Sequence, residues 1–113
     1  MSTRESQPLN IRFVSLDHGH HMWEIPLQKY SIRIGRRPGM ELCLDDESVS
    51  DFQCQIDEVQ GAVWVQDVGS VHGTFVNGRH VNLAHLMPGD RLTVGLTSLE
   101  IDYPEDSAGL PPS

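Results

Sequence analysis

The chain has 113 residues, 16 acidic against 8 basic side chains for a formal net charge of −8, and a hydrophobic share of 38%. That length suits one domain able to bury about two thirds of its unfolded surface, and the composition excludes a disordered or membranous chain. The acidic balance argues against duplex nucleic acid, which is gripped by Lys and Arg neutralising phosphates.

No apolar run approaches the roughly 20 residues needed to cross a bilayer. The polar start, Met1 to Pro8, holds no segment of signal-peptide type, so a cytoplasmic setting is expected. Cys43 and Cys54 are too few for a disulfide framework and lie among apolar residues. Both are read as buried free thiols in a reducing compartment. Seven of the eight basic residues are Arg, a side chain that can hold phosphate or carboxylate with two hydrogen bonds at once.

From residue 9 the chain alternates. Ile11 and Phe13, then Trp23, Ile25 and Leu27, then Tyr30, Ile32 and Ile34 repeat with period two, as strands with one buried face require. Asp17-His18-Gly19-His20 is a turn between the first two, and Pro26 marks the second as an edge strand. Leu42 and Leu44 form a short fourth strand, and Cys54 and Ile56 resume the alternation. Gln60-Gly61 turns the chain into Ala62 to Val68, a more apolar strand expected in the sheet interior. Leu92 to Val94 and Leu99 to Tyr103 close the domain after a turn at Leu86 to Asp90. No window shows a sustained 3.6-residue period, and short strands separated by turns read as an all-β sandwich or barrel. The expected layout is a flexible N-terminal tail over 1–8, a domain over 9–103 and a flexible C-terminal tail over 104–113.

The most structured loop runs from Asp67 through Gly69-Ser70-Val71-His72-Gly73 into Thr74-Phe75-Val76 and reverses at Asn77-Gly78. Asn-Gly between apolar runs is the strongest short hairpin signal. A loop fixed between two turns can offer backbone N–H groups and short polar side chains to a ligand. Two further polar loops, Gly35 to Gly39 and Asp45 to Asp51, accompany it. Gly73, Asn77 and Gly78 supply turn conformations that other residues resist.

The order of these loops resembles the forkhead-associated (FHA) domain family over roughly residues 9 to 103. Ile34-Gly35-Arg36 is similar to its Gly-Arg motif and Ser48-Val49-Ser50 to the start of its Ser-x-x-His motif. The stretch Asp67 to Gly78 is similar to its second loop and hairpin, and Leu86 to Gly95 to its closing hairpin. The resemblance implies an FHA/SMAD-like β-sandwich of about eleven mostly antiparallel strands, acting as a non-catalytic interaction module for phosphothreonine-containing peptides or proteins. It places Arg36 and Ser50 on the phosphate, with backbone N–H groups near Val71 assisting and His72, where the family has Asn, on the peptide chain.

Two other departures bear on affinity. Asp51 stands where the family usually has a donor, and a carboxylate about 6 Å from phosphate costs on the order of 3 kcal/mol per unit charge at an effective dielectric near 20. Gln53 replaces the loop-bracing His and can still both donate and accept. A module that kept this framework but binds an unphosphorylated partner is the alternative reading. Arg36 pairing with Asp45 or Asp46 is the plain reading of that guanidinium.

Other chemistries fit poorly. His18, His20, His21 and His72 with Cys43 and Cys54 offer metal-ligand atoms but no paired spacing. Ser50 or Ser70 with His72 and Asp67 has a hydrolase composition without a Gly-x-Ser-x-Gly elbow. Catalytic residues, metals and cofactors are therefore expected to be none.

Overall fold

Period-two alternation is realised as eleven strands in a computed structural model of the chain, which describes residues 9–17, 20–27 and 31–104. They are β1 (Leu9–Ser15), β2 (Met22–Leu27), β3 (Ile32–Gly35), β4 (Leu42–Cys43), β5 (Cys54–Val59), β6 (Ala62–Asp67), β7 (Thr74–Val76), β8 (Arg79–Val81), β9 (Leu83–His85), β10 (Arg91–Val94) and β11 (Thr97–Asp102). A six-stranded sheet, in the order β2-β1-β11-β10-β7-β8, faces a five-stranded one, β4-β3-β5-β6-β9. All pairings are antiparallel except β3 with β4. The fold is an all-β sandwich, and among the described residues no helix is long and apolar enough to cross a membrane.

The buried face of each strand follows its pattern. Ile11, Phe13, Leu92, Leu99 and Ile101 from one sheet meet Ile32, Ile34, Ile56, Val63 and Val65 from the other, all with 1% or less of their surface exposed. Phe13 is the largest of these side chains, and its removal would cost about 3–5 kcal/mol. Strand β2 is an edge strand, and Pro26 pairs there with Asn10. Strand β6 lies between β5 and β9. Asn77 and Gly78, at φ 51° and 85°, form the two-residue turn between β7 and β8, and Gln60 and Gly61 make the same kind of turn between β5 and β6.

Two expectations need adjustment. Cys43 is exposed and only Cys54 is buried. The physical reason is the alternation itself: Leu42 and Leu44 point inward, so the residue between them points out. Strand β9 has no counterpart in the sequence reading, because Leu83 and His85 are exposed and its place comes from pairing with β6. The expected strand start at Tyr30, the His18 turn position, the tail over 1–8 and the tail beyond Pro104 lie outside the described residues.

Candidate functional site

A glycine lets the site form. A Cβ on Gly35 would lie 2.0 Å from the Asp51 carbonyl oxygen, backbone that cannot yield, so only glycine permits this approach of β3 to the loop before β5. Beyond it the Arg36 N–H donates to the Ser50 carbonyl at 3.0 Å and the Arg37 N–H to that of Asp51 at 3.2 Å. The Arg36 side chain thus leaves from a fixed base and stays 45% exposed.

Ser50 joins all three loops. Its carbonyl takes the Arg36 N–H, its N–H donates to Gln53 Oε1 at 3.0 Å, and its Oγ accepts from the Val71 N–H at 2.9 Å. With the oxygen engaged as acceptor, the hydroxyl proton has no partner among the described residues and can donate outward. The Val71 N–H is correspondingly occupied, while the exposed His72 carries no hydrogen bond among the described residues.

Gln53, fully buried, braces the assembly. Its Nε2 donates to the Gly73 carbonyl at 2.8 Å and to Thr74 Oγ1 at 3.1 Å, while its Oε1 holds Ser50. Every polar atom of that side chain is satisfied, as burial demands. Gly73, at φ 96°, lets the His80 ring pack beneath the loop, since a Cβ there would come within 2.9 Å of it. His80 in turn lies against Phe75, with ring centroids 5.3 Å apart.

Asp67 wraps the 67–74 loop around its carboxylate. Oδ1 accepts from the Gly69 and Ser70 N–H groups at 2.8 and 3.0 Å, and Oδ2 from the Ser70 and Thr74 hydroxyls at 2.5 and 2.7 Å. Partial burial pushes this carboxyl up, but these hydrogen bonds outweigh it and hold it below its ordinary value. Asp46 plays the same part between the 46–48 loop and the β10–β11 turn, accepting from Ser48, Leu96 and Thr97. Burial pushes it up too, yet the Ser48 and Thr97 hydroxyls and the Ser48 and Leu96 amides hold it at about 2. The sequence reading named both residues but assigned neither this bracing role. Asp67 could have been found from the short polar residues two and three positions beyond it, a local Asx-turn pattern. Asp46 shows the same local pattern with Ser48, but its bonds from Leu96 and Thr97 had no local signal, because those residues lie 50 and 51 positions away.

Arg36, Ser50, Asp51, Val71 and His72 line one open depression of about 370 Å³ at the end of the sandwich. The guanidinium faces Asp51 rather than Asp45 or Asp46, with Nη2 3.4 Å from Oδ1. An FHA domain model matches residues 32–95, more than half of the chain. The chain belongs to the FHA domain family.

Curated relatives include the oxoglutarate dehydrogenase inhibitor of Corynebacterium diphtheriae, 35% identical over 69 residues, which are 61% of this chain and 48% of that protein. The glycogen accumulation regulator GarA of Mycolicibacterium smegmatis is 39% identical over 61 residues, 54% of this chain and 39% of GarA. The chain therefore matches less than half the length of these relatives. Among solved structures, an FHA domain from a study of phosphothreonine-dependent FHA interactions superposes with a TM-score of 0.75 at 22% identity, covering 82% of this chain and 95% of that one. An engineered FHA domain with a Myc-pTBD peptide gives 0.77 at 22% identity, covering 88% and 94%. At that identity these likenesses concern the fold.

Proposed function

We propose that this FHA domain is a non-catalytic interaction module that binds phosphothreonine-containing segments of partner proteins through the depression around Arg36, with affinity lowered by Asp51. The observation that carries the reading is the convergence of three loops on Ser50, which sets an outward-facing hydroxyl in the same depression as an exposed guanidinium. A phosphate dianion needs charge-assisted donors, each contributing about 1.5–3 kcal/mol net. Arg36 and Ser50 supply two, and the unpartnered His72 lies where it can meet the peptide backbone. Gly35, Gln53, Gly73, Asn77 and Gly78 act by holding the loops.

A catalytic role gains no support from the serines. Ser70 Oγ is committed to Asp67 and to the Gly73 N–H, and the Asp67 carboxylate is turned to Ser70 and Thr74. Nucleic acid and anionic membrane are poor partners for a chain of net charge −8. The exposed thiol of Cys43 fits a reducing, cytoplasmic setting.

The second reading, a partner without phosphate, is favoured by the Arg36–Asp51 contact, because a guanidinium that already meets one carboxylate can accept another. Titration with a phosphothreonine peptide library and its unphosphorylated counterpart separates the two. Phosphate-dependent binding lost in Arg36→Ala is expected. Binding equal for both libraries, or untouched by that substitution, would overturn the phosphothreonine reading.

A further inference from the structure

The loop that carries Ser50 borders two depressions. Residues 47–51 line the one beside Arg36, and residues 44–46 line a second of about 420 Å³, together with Asp17, His21, Leu96 and Thr97. Half-buried Trp23 on β2 forms part of its wall, met edge-on by His21 at a ring-centroid separation of 5.9 Å. Leu96, 82% exposed at the β10–β11 turn, forms another part. Asp17, Asp45 and Asp46 share the lining, and among the described residues no Lys or Arg does.

These carboxylates are not equivalent. Asp17 accepts from the Ser98 N–H, and Asp46 is enclosed by its own donors. Asp45 is exposed and has no partner among the described residues. An indole wall, an exposed leucine and an unspent carboxylate are the complement of a planar cation on an aliphatic stem. The cation is attracted by the ring and the carboxylate, while the stem covers apolar surface.

We propose that this second depression receives an arginine side chain of a protein partner, its guanidinium against Asp45 and the Trp23 ring and its stem along Leu96. The net charge of −8 favours approach of a basic segment. None of these residues lines the Arg36 depression, so the inference stands apart from phosphate recognition.

The test is a titration of the isotope-labelled full chain with N-acetyl-triarginine amide, followed by NMR. Saturable shifts are expected at the Trp23 indole N–H and the Leu96 and Thr97 amides, with the Trp64 indole on the other sheet unmoved. Trp23 packs against the core, so Asp45→Asn is the variant of choice, and it should weaken binding roughly fivefold. A citrulline counterpart, equal in shape but uncharged, should not saturate. Alkylation of Cys43, which lines the same depression, should slow in the presence of the arginine peptide. Cys54, buried and with its thiol pushed up to about 12, stays inert as an internal control. Equal shifts with citrulline, binding unchanged in Asp45→Asn, or shifts centred on Arg36 and His72 would each overturn the proposal. None of these outcomes depends on whether a phosphothreonine peptide binds.

Discussion

Replacing Asp51 by Asn removes one charge beside the guanidinium while keeping the backbone contact from Arg37, which uses the Asp51 carbonyl and not its side chain. Two effects add. The Arg36–Asp51 pair, 3.4 Å apart with side chains 45% and 64% exposed, must be loosened to admit a ligand, at a cost of at most about 1 kcal/mol. A phosphate seated on Arg36 would then lie about 6 Å from the carboxylate, and their repulsion of roughly 3 kcal/mol per unit charge at a dielectric near 20 falls with solvent and salt screening. A net gain of about 1–2 kcal/mol is a reasonable sum, so Asp51→Asn should tighten phosphothreonine-peptide binding roughly 5- to 30-fold. Fluorescence anisotropy at about 0.05 M and about 0.5 M salt measures it, and the gap between the two proteins should narrow at the higher salt. Equal or weaker binding by the variant, with its fold intact by NMR, would mean that Asp51 orients Arg36 rather than opposing the phosphate.

Other consequences follow from the loop framework. Gln53→Ala leaves the Ser50 N–H and the Gly73 carbonyl without their side-chain partner, leaves the Thr74 hydroxyl with Asp67 alone and opens a cavity, so it should cost about 2–4 kcal/mol in urea unfolding followed by tryptophan fluorescence. A loss under about 0.5 kcal/mol would show that water takes over those contacts. Gly35→Ala drives a methyl into the Asp51 carbonyl and should cost more than about 3 kcal/mol by the same measurement. A near-wild-type midpoint would contradict the close approach. Asp46, with its folded pKa held at about 2, binds fewer protons in the folded than in the unfolded state between about pH 2 and pH 4. Its contribution is present above that window and is lost as pH falls through it, so an acid titration of stability should flatten there in Asp46→Asn. Unaltered acid sensitivity would point to other carboxylates.

The sandwich was legible because its signals are local. Alternation at Ile11 and Phe13, at Ile32 and Ile34, and at Leu99 and Ile101 states which face is buried without reference to the partner. The Asn77-Gly78 and Gln60-Gly61 turns carry their positive φ angles in the dipeptide itself. Cys43 was misplaced although the signal was there, since Leu42 and Leu44 on either side already assign the opposite face. Strand β9 was not legible: with Leu83 and His85 exposed, only hydrogen bonding to β6 makes it a strand.

For the site, the sequence supplied the short local motifs Gly35-Arg36, Ser48-Val49-Ser50 and the 67–78 loop, and their resemblance in order to the FHA family implied that they belong together. Only the tertiary structure decided that Arg36 faces Asp51, that Ser50 Oγ takes the Val71 N–H, and that Gln53 spans from Ser50 to Gly73. Apart from the local Ser50–Gln53 bond, these contacts join residues 15 to 21 positions apart, and the Asp46 bonds from Leu96 and Thr97 reach across 50 and 51. Side-chain hydrogen bonds at such separations depend on how the loops pack at the end of the two sheets, a geometry to which period-two alternation is blind.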